Sequence, residues 1–322
     1  MKVLLVGASG FVGRHLVQRL VRQGVSFRAA VHRNEQGLPP GIDLVRGTRL
    51  DRDFDWGPAL QGCDAVVHLG ARVHVMNDGS ADPLAEYRLT NVEGTMNLGR
   101  HAAAHVRRFV FVSSVKVNGE ETAPGRSISE TDGPAPVDPY GISKLEAEIG
   151  LRTLAWREPG LVILRPPLVY GPGVRANFRT MMRWLHRGVP LPLGSIENRR
   201  SLIGVDNLVD VIMTSLVHPA AANQTFLVSD GEDLSTPALL TRLAAALEVR
   251  ARLLPFPPVL LERLARLAGQ GAAISRLQNS LSLEIGKARQ LLEWTPPVSV
   301  DEGLRRTAAA FLSERSGGSV VP

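Results

Sequence analysis

The amino-acid sequence predicts an α/β fold: a doubly wound parallel sheet with helices on both faces, followed by a smaller, discontinuous C-terminal domain. Three observations predict it. Short apolar runs alternate with helical periods as far as Arg165. A glycine-spaced turn joins the first run to the first helix. The regularity then breaks at Pro166, Pro167, Gly171, Pro172 and Gly173, and again across Gly188–Gly194.

Val3–Val6 is an apolar run that ends at Gly7, short enough for a buried strand. Phe11–Arg22 follows with Phe11, Val12, Leu16, Val17, Leu20 and Val21 at helical spacing. Phe27–Val31 reads as the second strand, Asp43–Val45 as a short third and Ala65–Leu69 as the fourth. A long helix around Leu84–Ala104, a strand at Phe109–Val112, a helix from about Pro139 to Trp156 and a strand at Leu161–Leu164 complete the alternation. Beyond the break, Thr225–Glu248 reads as strand, loop and helix, with Ser235 as N-cap. Pro255–Gly269 reads as an amphipathic helix opened by prolines. Its stripe of Val259, Leu260, Leu264 and Leu267 suits a core-packing face, with a membrane surface as the rarer alternative. Residues 1–165, with returning segments at about 201–230, form the sheet domain; 166–200 and 231–315 form the second domain, and 316–322 a frayed tail.

Composition narrows the function classes. The 322 residues carry 37 basic and 31 acidic side chains, a net charge of +6, and 44% are hydrophobic. The single cysteine, Cys63, expected to be buried beside strand four, forms no internal disulfide, so a reducing, cytoplasmic setting is expected. The chain contains no eighteen-residue apolar run and no signal-peptide pattern, so no integral membrane segment is expected. Lysines are few (Lys2, Lys116, Lys144, Lys287), arginines are scattered, and aromatics are 5%. That distribution argues against nucleic acid and suits a phosphate-bearing small molecule, whose oxygens match the guanidinium fork. His32, His68, His74, His101 and His105 show no ligand spacing with carboxylates, so no metal is expected.

Gly7-Ala8-Ser9-Gly10-Phe11-Val12-Gly13 lies between the first strand and the first helix. Gly7 permits a tight turn, Gly10 lets the backbone approach a pyrophosphate, and Gly13 lets the helix lie close to the strand. Backbone N–H groups of the turn, through Phe11 and Val12, and the helix dipole then face the anion, with the Ser9 hydroxyl as a further donor. This is a Rossmann-type dinucleotide site. An acid normally ends the second strand where NAD is preferred, but here Ala29-Ala30-Val31-His32-Arg33 has none. Arg33 stands where a 2′-phosphate would lie, so NADP(H) is favoured, with NAD(H) as the alternative.

Tyr140 and Lys144 are four residues apart at the start of a helix and share a face. A lysine cation beside a phenol, whose ordinary pKa is about 10, favours the phenolate and brings it toward neutral pH. The pair can then move a proton to or from a sugar or alcohol oxygen. Ser113-Ser114 follows strand five, where hydroxyls meet the ligand crevice, and Ser114 can hydrogen-bond the same oxygen.

With these residues in place, the chain resembles the extended short-chain dehydrogenase/reductases of the nucleotide-sugar epimerase/dehydratase family over nearly its whole length. Besides the glycine turn, Ser114 and Tyr140-x-x-x-Lys144, the resemblance rests on His68-Leu69-Gly70-Ala71, Asn91-Val-Glu-Gly-Thr95 and Arg165-Pro-Pro-Leu-Val-Tyr-Gly-Pro-Gly173. It implies a Ser114–Tyr140–Lys144 catalytic triad, with Lys144 also holding the nicotinamide ribose. It implies that Leu69, Gly70 and Ala71 lie along the cofactor and that Pro167 and Val169 pass the nicotinamide. It places Asn177 and Phe178 at a sugar-nucleotide diphosphate and Arg200 as its clamp. Lys116 and Asn118 stand in the substrate region, where Val117-Asn118-Gly119 replaces the usual Val-Tyr-Gly. Gly47-Thr48 likewise replaces the usual Gly-Asp near the adenine. The Ser-Ser-Val-Lys-Val-Asn-Gly run and Met182-Arg-Trp184 resemble a subgroup of bacterial surface-polysaccharide loci.

The resemblance therefore implies an enzyme that reduces the C4 keto group of a UDP-4-keto-6-deoxy-N-acetylhexosamine, with Tyr140 as acid. The alternatives are a UDP-hexose or UDP-N-acetylhexosamine 4-epimerase with tightly bound NAD and, more distantly, a non-catalytic nucleotide-binding regulator. A dehydratase is disfavoured because Val115-Lys116 stands where dehydratases carry Asp-Glu. A homodimer through the long helices is implied by family analogy.

Overall fold

The computed structural model describes residues 1–73, 82–267 and 271–315. His74, the end of the 255–269 segment and the 316–322 tail lie outside the described residues. The chain runs β1 (Lys2–Val6), α1 (Phe11–Arg22), β2 (Ser26–Ala30), β3 (Asp43–Val45), α2 (Gly57–Leu60) and β4 (Ala65–His68). Next, α3 (Pro83–Tyr87) passes through a π-helical stretch (Arg88–Gly94) into α4 (Thr95–His105), the long helix expected there. Then come β5 (Arg108–Val112), α5 (Pro139–Arg152) and β6 (Gly160–Arg165). The rest comprises β7 (Leu168–Tyr170), α6 (Ala176–His186), β8 (Arg200–Gly204), α7 (Val205–Val217), β9 (Gln224–Leu227), β10 (Asp233–Leu234), α8 (Thr236–Ala246), α9 (Pro258–Leu267), α10 (Gly271–Gln278), α11 (Gly286–Leu291) and α12 (Val300–Arg315).

Seven strands form one sheet in the order β3-β2-β1-β4-β5-β6-β9, parallel throughout. The winding direction reverses between β1 and β4, so the crevice beyond their carboxyl ends is the natural ligand site. Alternate residues of β1 serve opposite faces. Val3 and Leu5 pack with Leu16, Val17 and Leu20 of α1 and Leu208, Val211 and Ile212 of α7. Leu4 and Val6 pack with Leu98 and Ala102 of α4 and Ala147 and Leu151 of α5. Burial on both faces explains why β1, β4 and β6 read as unbroken apolar runs rather than alternating ones. Cys63 is buried in the second of these layers.

A second, three-stranded sheet, β10-β8-β7, stands over a separate apolar cluster from α6, α8 and α12. Ile285, Ala288, Leu292 and Trp294, at and beyond α11, pack instead into the layer of α1 and α7. One expectation is reversed. The stripe of α9 does not pack on a core: Val259, Leu260, Leu264 and Leu267 face solvent, while Leu261 turns inward. The helix neighbours α10, and the apolar period marks an exposed face.

Candidate active site

The crevice is entered by the β1–α1 turn. Gly7 has φ +91°, and a Cβ there would lie 2.7 Å from the Gly70 nitrogen, so only glycine lets the turn meet the end of β4. A Cβ at Gly13 would collide with the Gly7 and Ala8 carbonyl oxygens. Gly10 heads α1 without any side-chain cap, and the first turn holds no acid. The leading N–H groups of α1 are therefore left for an anion, and the cradle fits a dinucleotide pyrophosphate. Ser9, Phe11 and Val12 are half-buried along the same turn. Leu69, Gly70 and Ala71 follow β4 at the facing rim, with the Leu69 N–H donating to the Val6 carbonyl at 2.9 Å. Arg33, just beyond β2, is exposed.

On the other side, β5 delivers Ser113 and Ser114. The Ser113 N–H donates to Leu164 O at 2.7 Å, tying the strand end to β6. Ser114 caps a short 3-10 turn, its Oγ accepting from the Lys116 N–H at 3.2 Å. α5 begins at Pro139, with the Asp138 carboxylate accepting from the Gly141 N–H at 2.7 Å. A Cβ at Gly141 would lie 2.7 Å from the Lys116 carbonyl oxygen, so glycine lets the first turn of α5 press against the turn after Ser114. The Lys116 ammonium, 2.5 Å from Asp138 Oδ2 and 2.6 Å from Glu120, pins the two together. Ser114 and Tyr140 are thus held on adjoining turns.

Lys144 lies one helical turn beyond Tyr140 and is buried. Its ammonium donates to the Val112 carbonyl at 2.8 Å and sits 4.0 Å over the Phe111 ring. Burial draws its pKa down to about 7, partly offset by Glu148. Tyr140 packs edge-on to Tyr87 at 6.2 Å. Burial first, then Asp138 and Tyr87, push its phenol well above the ordinary value. Here the structure departs from the sequence expectation of a lowered tyrosine, because burial disfavours the phenolate. Beneath them His68 is fully buried, with Nε2 2.9 Å from Thr95 Oγ1; burial and then Lys144 press its pKa down to about 3, so it stays neutral.

Asn91 is a positioning residue to which the sequence motif assigned no role. Its Oδ1 accepts from the Arg72 N–H at 2.8 Å, and its Nδ2 donates to Arg72 O and to Ser143 Oγ, both at 3.0 Å. It joins the rim after β4 to the helix that carries Tyr140. Its place in the π-helical stretch, out of register with an α-helix, is what hid that role.

The residues expected at the substrate divide. Arg200 opens β8, its Nη1 donating to Arg276 O at 2.9 Å and Asn279 O at 2.8 Å, and burial lowers its pKa. Asn177 is exposed in the first turn of α6. Phe178, by contrast, is buried and stacked on Tyr170 at 5.6 Å, so it supports the helix from the core. Asn118 is also turned inward. Its Oδ1 accepts from Arg165 Nη1 at 2.9 Å and its Nδ2 donates to Asp132 O at 3.2 Å. Lys116 is committed to carboxylates of the protein itself. Pro167 is buried and Val169 half-buried where β6 passes into β7, with Pro166 O accepting from the Val115 N–H at 3.0 Å. Among the described residues no cluster of metal-ligating side chains occurs, and no helix is long and apolar enough to cross a membrane.

The sequence profile of the NAD dependent epimerase/dehydratase family matches residues 3–229, which span the sheet, the glycine turn and the Ser-Tyr-Lys set. The chain belongs to this family. A Vibrio cholerae protein named UDP-glucose 4-epimerase is 42% identical over 96% of this chain and 95% of its own length. An Escherichia coli O157:H7 protein named N-acetyl-alpha-D-glucosaminyl-diphospho-ditrans,octacis-undecaprenol 4-epimerase is 28% identical over 86% of this chain and 83% of its own. Among solved structures, the Bacillus cereus UDP-glucuronic acid 4-epimerase in complex with NAD superimposes with a TM-score of 0.79, at 22% identity, over 100% of this chain and 99% of that one. That likeness shows the fold. This epimerase/dehydratase family member is an NAD-dependent nucleotide-sugar enzyme of the extended short-chain dehydrogenase type.

Proposed function

We propose that the enzyme reduces the C4 keto group of a UDP-4-keto-6-deoxy-N-acetylhexosamine, with NADP(H) as the favoured coenzyme. The observation that carries this reading is the end of β2, where Arg33 is exposed and no acid stands, which suits an exchangeable NADP(H) spent in net reduction. Tyr140, whose phenol is pushed above its ordinary value by burial, Asp138 and Tyr87, supplies the proton to the C4 oxygen. The nicotinamide, when bound, supplies the hydride that C4 receives. Ser114 hydrogen-bonds the carbonyl oxygen and stabilises the charge that develops there. Lys144, tethered to the Val112 carbonyl, orients the ribose. The uncapped N–H groups of α1 hold the pyrophosphate, and Arg200 and Asn177 the sugar-nucleotide diphosphate. Exposed Arg33, with no acid at the end of β2, supports the 2′-phosphate.

A second reading, a UDP-sugar 4-epimerase, is favoured by the name of the Vibrio cholerae relative. One experiment separates the two. The purified protein is incubated with a UDP-4-keto-6-deoxy-N-acetylhexosamine and NADPH or NADH, and absorbance of the reduced nicotinamide is followed. Stoichiometric oxidation, faster with NADPH, is expected. No oxidation, with interconversion of UDP-N-acetylglucosamine and UDP-N-acetylgalactosamine in a parallel reaction, assigns the epimerase.

A further inference from the structure

We propose that helix α9 and the arginine-lined cavity adjoining it form a docking surface for an anionic phospholipid bilayer. Val259, Leu260, Leu264 and Leu267 are 65%, 45%, 50% and 87% exposed on a ten-residue helix. Leu260, Leu264 and Leu267 recur at helical spacing on one face, and Val259 and Arg263 border it. Leu261, on the flank of that stripe, anchors the helix to the core. A solvated helix has no use for so large an apolar face, whereas a helix lying in a membrane interface is built this way.

The second observation is charge. Immediately before α9, Leu254 is half-exposed and forms part of the wall of a cavity of about 660 Å³. Its lining includes His186, Arg187, Arg250 and Arg252 and no acidic residue. Among the described residues none of these three arginines forms an ion pair, whereas Arg266 on α9 itself pairs with Glu262. His186 Nδ1 is buried without a hydrogen-bond partner. Pro255-Phe256-Pro257 joins this cationic cavity directly to the apolar face.

Leucines that enter the acyl boundary beside guanidinium groups that pair with phosphodiesters match an anionic bilayer in both respects. A second copy of the chain matches less well. Self-association through this face would bring like-charged arginines together.

The test uses the full-length protein and sedimented vesicles of pure phosphatidylcholine or of equimolar phosphatidylcholine and phosphatidylglycerol. Binding to the phosphatidylglycerol vesicles that weakens with salt is expected. The Leu260→Glu/Leu264→Glu variant should lose it. The Arg250→Ala/Arg252→Ala variant should bind about thirtyfold more weakly, each arginine near such a surface being a substantial share of the attraction. Both variants should keep the wild-type melting temperature and turnover in buffer without vesicles. Equal binding to pure phosphatidylcholine, no binding to either vesicle, or unchanged binding by the two variants would overturn the proposal. So would loss of a dimer in the leucine variant, seen by light scattering, without a change in vesicle binding.

Discussion

At the residue scale the proposed reaction turns on half-buried Tyr140 and buried Lys144, whose environments oppose their charged forms. Tyr140 keeps its proton because desolvation, Asp138 and Tyr87 all disfavour the phenolate. Tyr140→Phe removes the donor and keeps the ring contact with Tyr87. Turnover should fall about 10²–10⁴-fold while coenzyme binding, read by fluorescence titration, is retained. A variant keeping about a tenth of wild-type turnover or more would leave Tyr140 without its role as acid. Lys144 carries a separate, pH-dependent signature. Its folded value is about 7, below the ordinary lysine value. Between that value and the ordinary one, of about 10.4, the unfolded chain binds a proton that the folded chain does not, so stability rises with pH across this window. Below it, both states are protonated and the full cost of a buried cation is present. Lys144→Met should therefore stabilise the protein most below pH 7, as read by the melting temperature. The gain should shrink as pH rises toward 10, and a gain independent of pH would show that burial does not set the charge of Lys144.

At the scale of elements, the site rests on ties between strand ends and helix starts. Glu148 of α5 is buried and receives Arg165 Nε at 3.0 Å and Nη2 at 2.6 Å, while Arg165 Nη1 donates to Asn118. This triad locks α5, the end of β6 and the turn after Ser114 in one arrangement. Glu148→Ala leaves the Arg165 cation buried without its partner and should cost about 3–5 kcal/mol. Urea unfolding measures it, and a loss below about 1 kcal/mol would show that the carboxylate does not hold these elements together. The same triad shows where sequence reasoning stops. Local signals revealed the glycine turn, the Tyr140–Lys144 spacing and the first six strands, because each is a property of neighbours in the chain. Asn118 and Phe178 were expected at the substrate, yet their side chains are consumed by partners 47 residues away in one case and packed on Tyr170 in the other. No local pattern carries that. β7 and β10 span three and two residues, too few to show a period. β8 runs directly into α7 through Gly204 alone, and α7 is apolar on most sides because it is largely buried. The stripe of α9 was legible, but whether a stripe faces a core or solvent depends on what the rest of the chain packs against it.

At the scale of the molecule, the crevice lies where two apolar bodies meet. Phe11 opens α1 beside the phosphate turn and packs against both the cluster of α1 and α7 and the cluster of α6, α8 and α12. His15, edge-on to Phe11 at 5.5 Å, lies with Nε2 2.9 Å from Pro172 O, across the passage from β7 to α6. Trp294 donates from Nε1 to Asp210 at 3.1 Å, and Arg19 donates to the same carboxylate at 2.7 Å, so the late chain is strapped to α1 and α7. A ligand that orders the α1 turn must then be felt by both clusters. Coenzyme at about 100 times its dissociation constant stabilises the folded state by about 2.7 kcal/mol, which for a chain of this length is a rise of about 4 °C in melting temperature. Tryptophan reports mainly on the sheet domain, with Trp294 in the first cluster, Trp56 and Trp156 in the layer of α4 and α5, and Trp184 at the surface of α6. A single transition, moving together in far-ultraviolet circular dichroism and tryptophan fluorescence, is expected for the wild-type chain. Phe11→Ala, which removes the shared ring, should weaken coenzyme binding and separate the two probes. Two wild-type transitions, of which coenzyme moves only one, would mean that the second cluster folds independently of the phosphate turn.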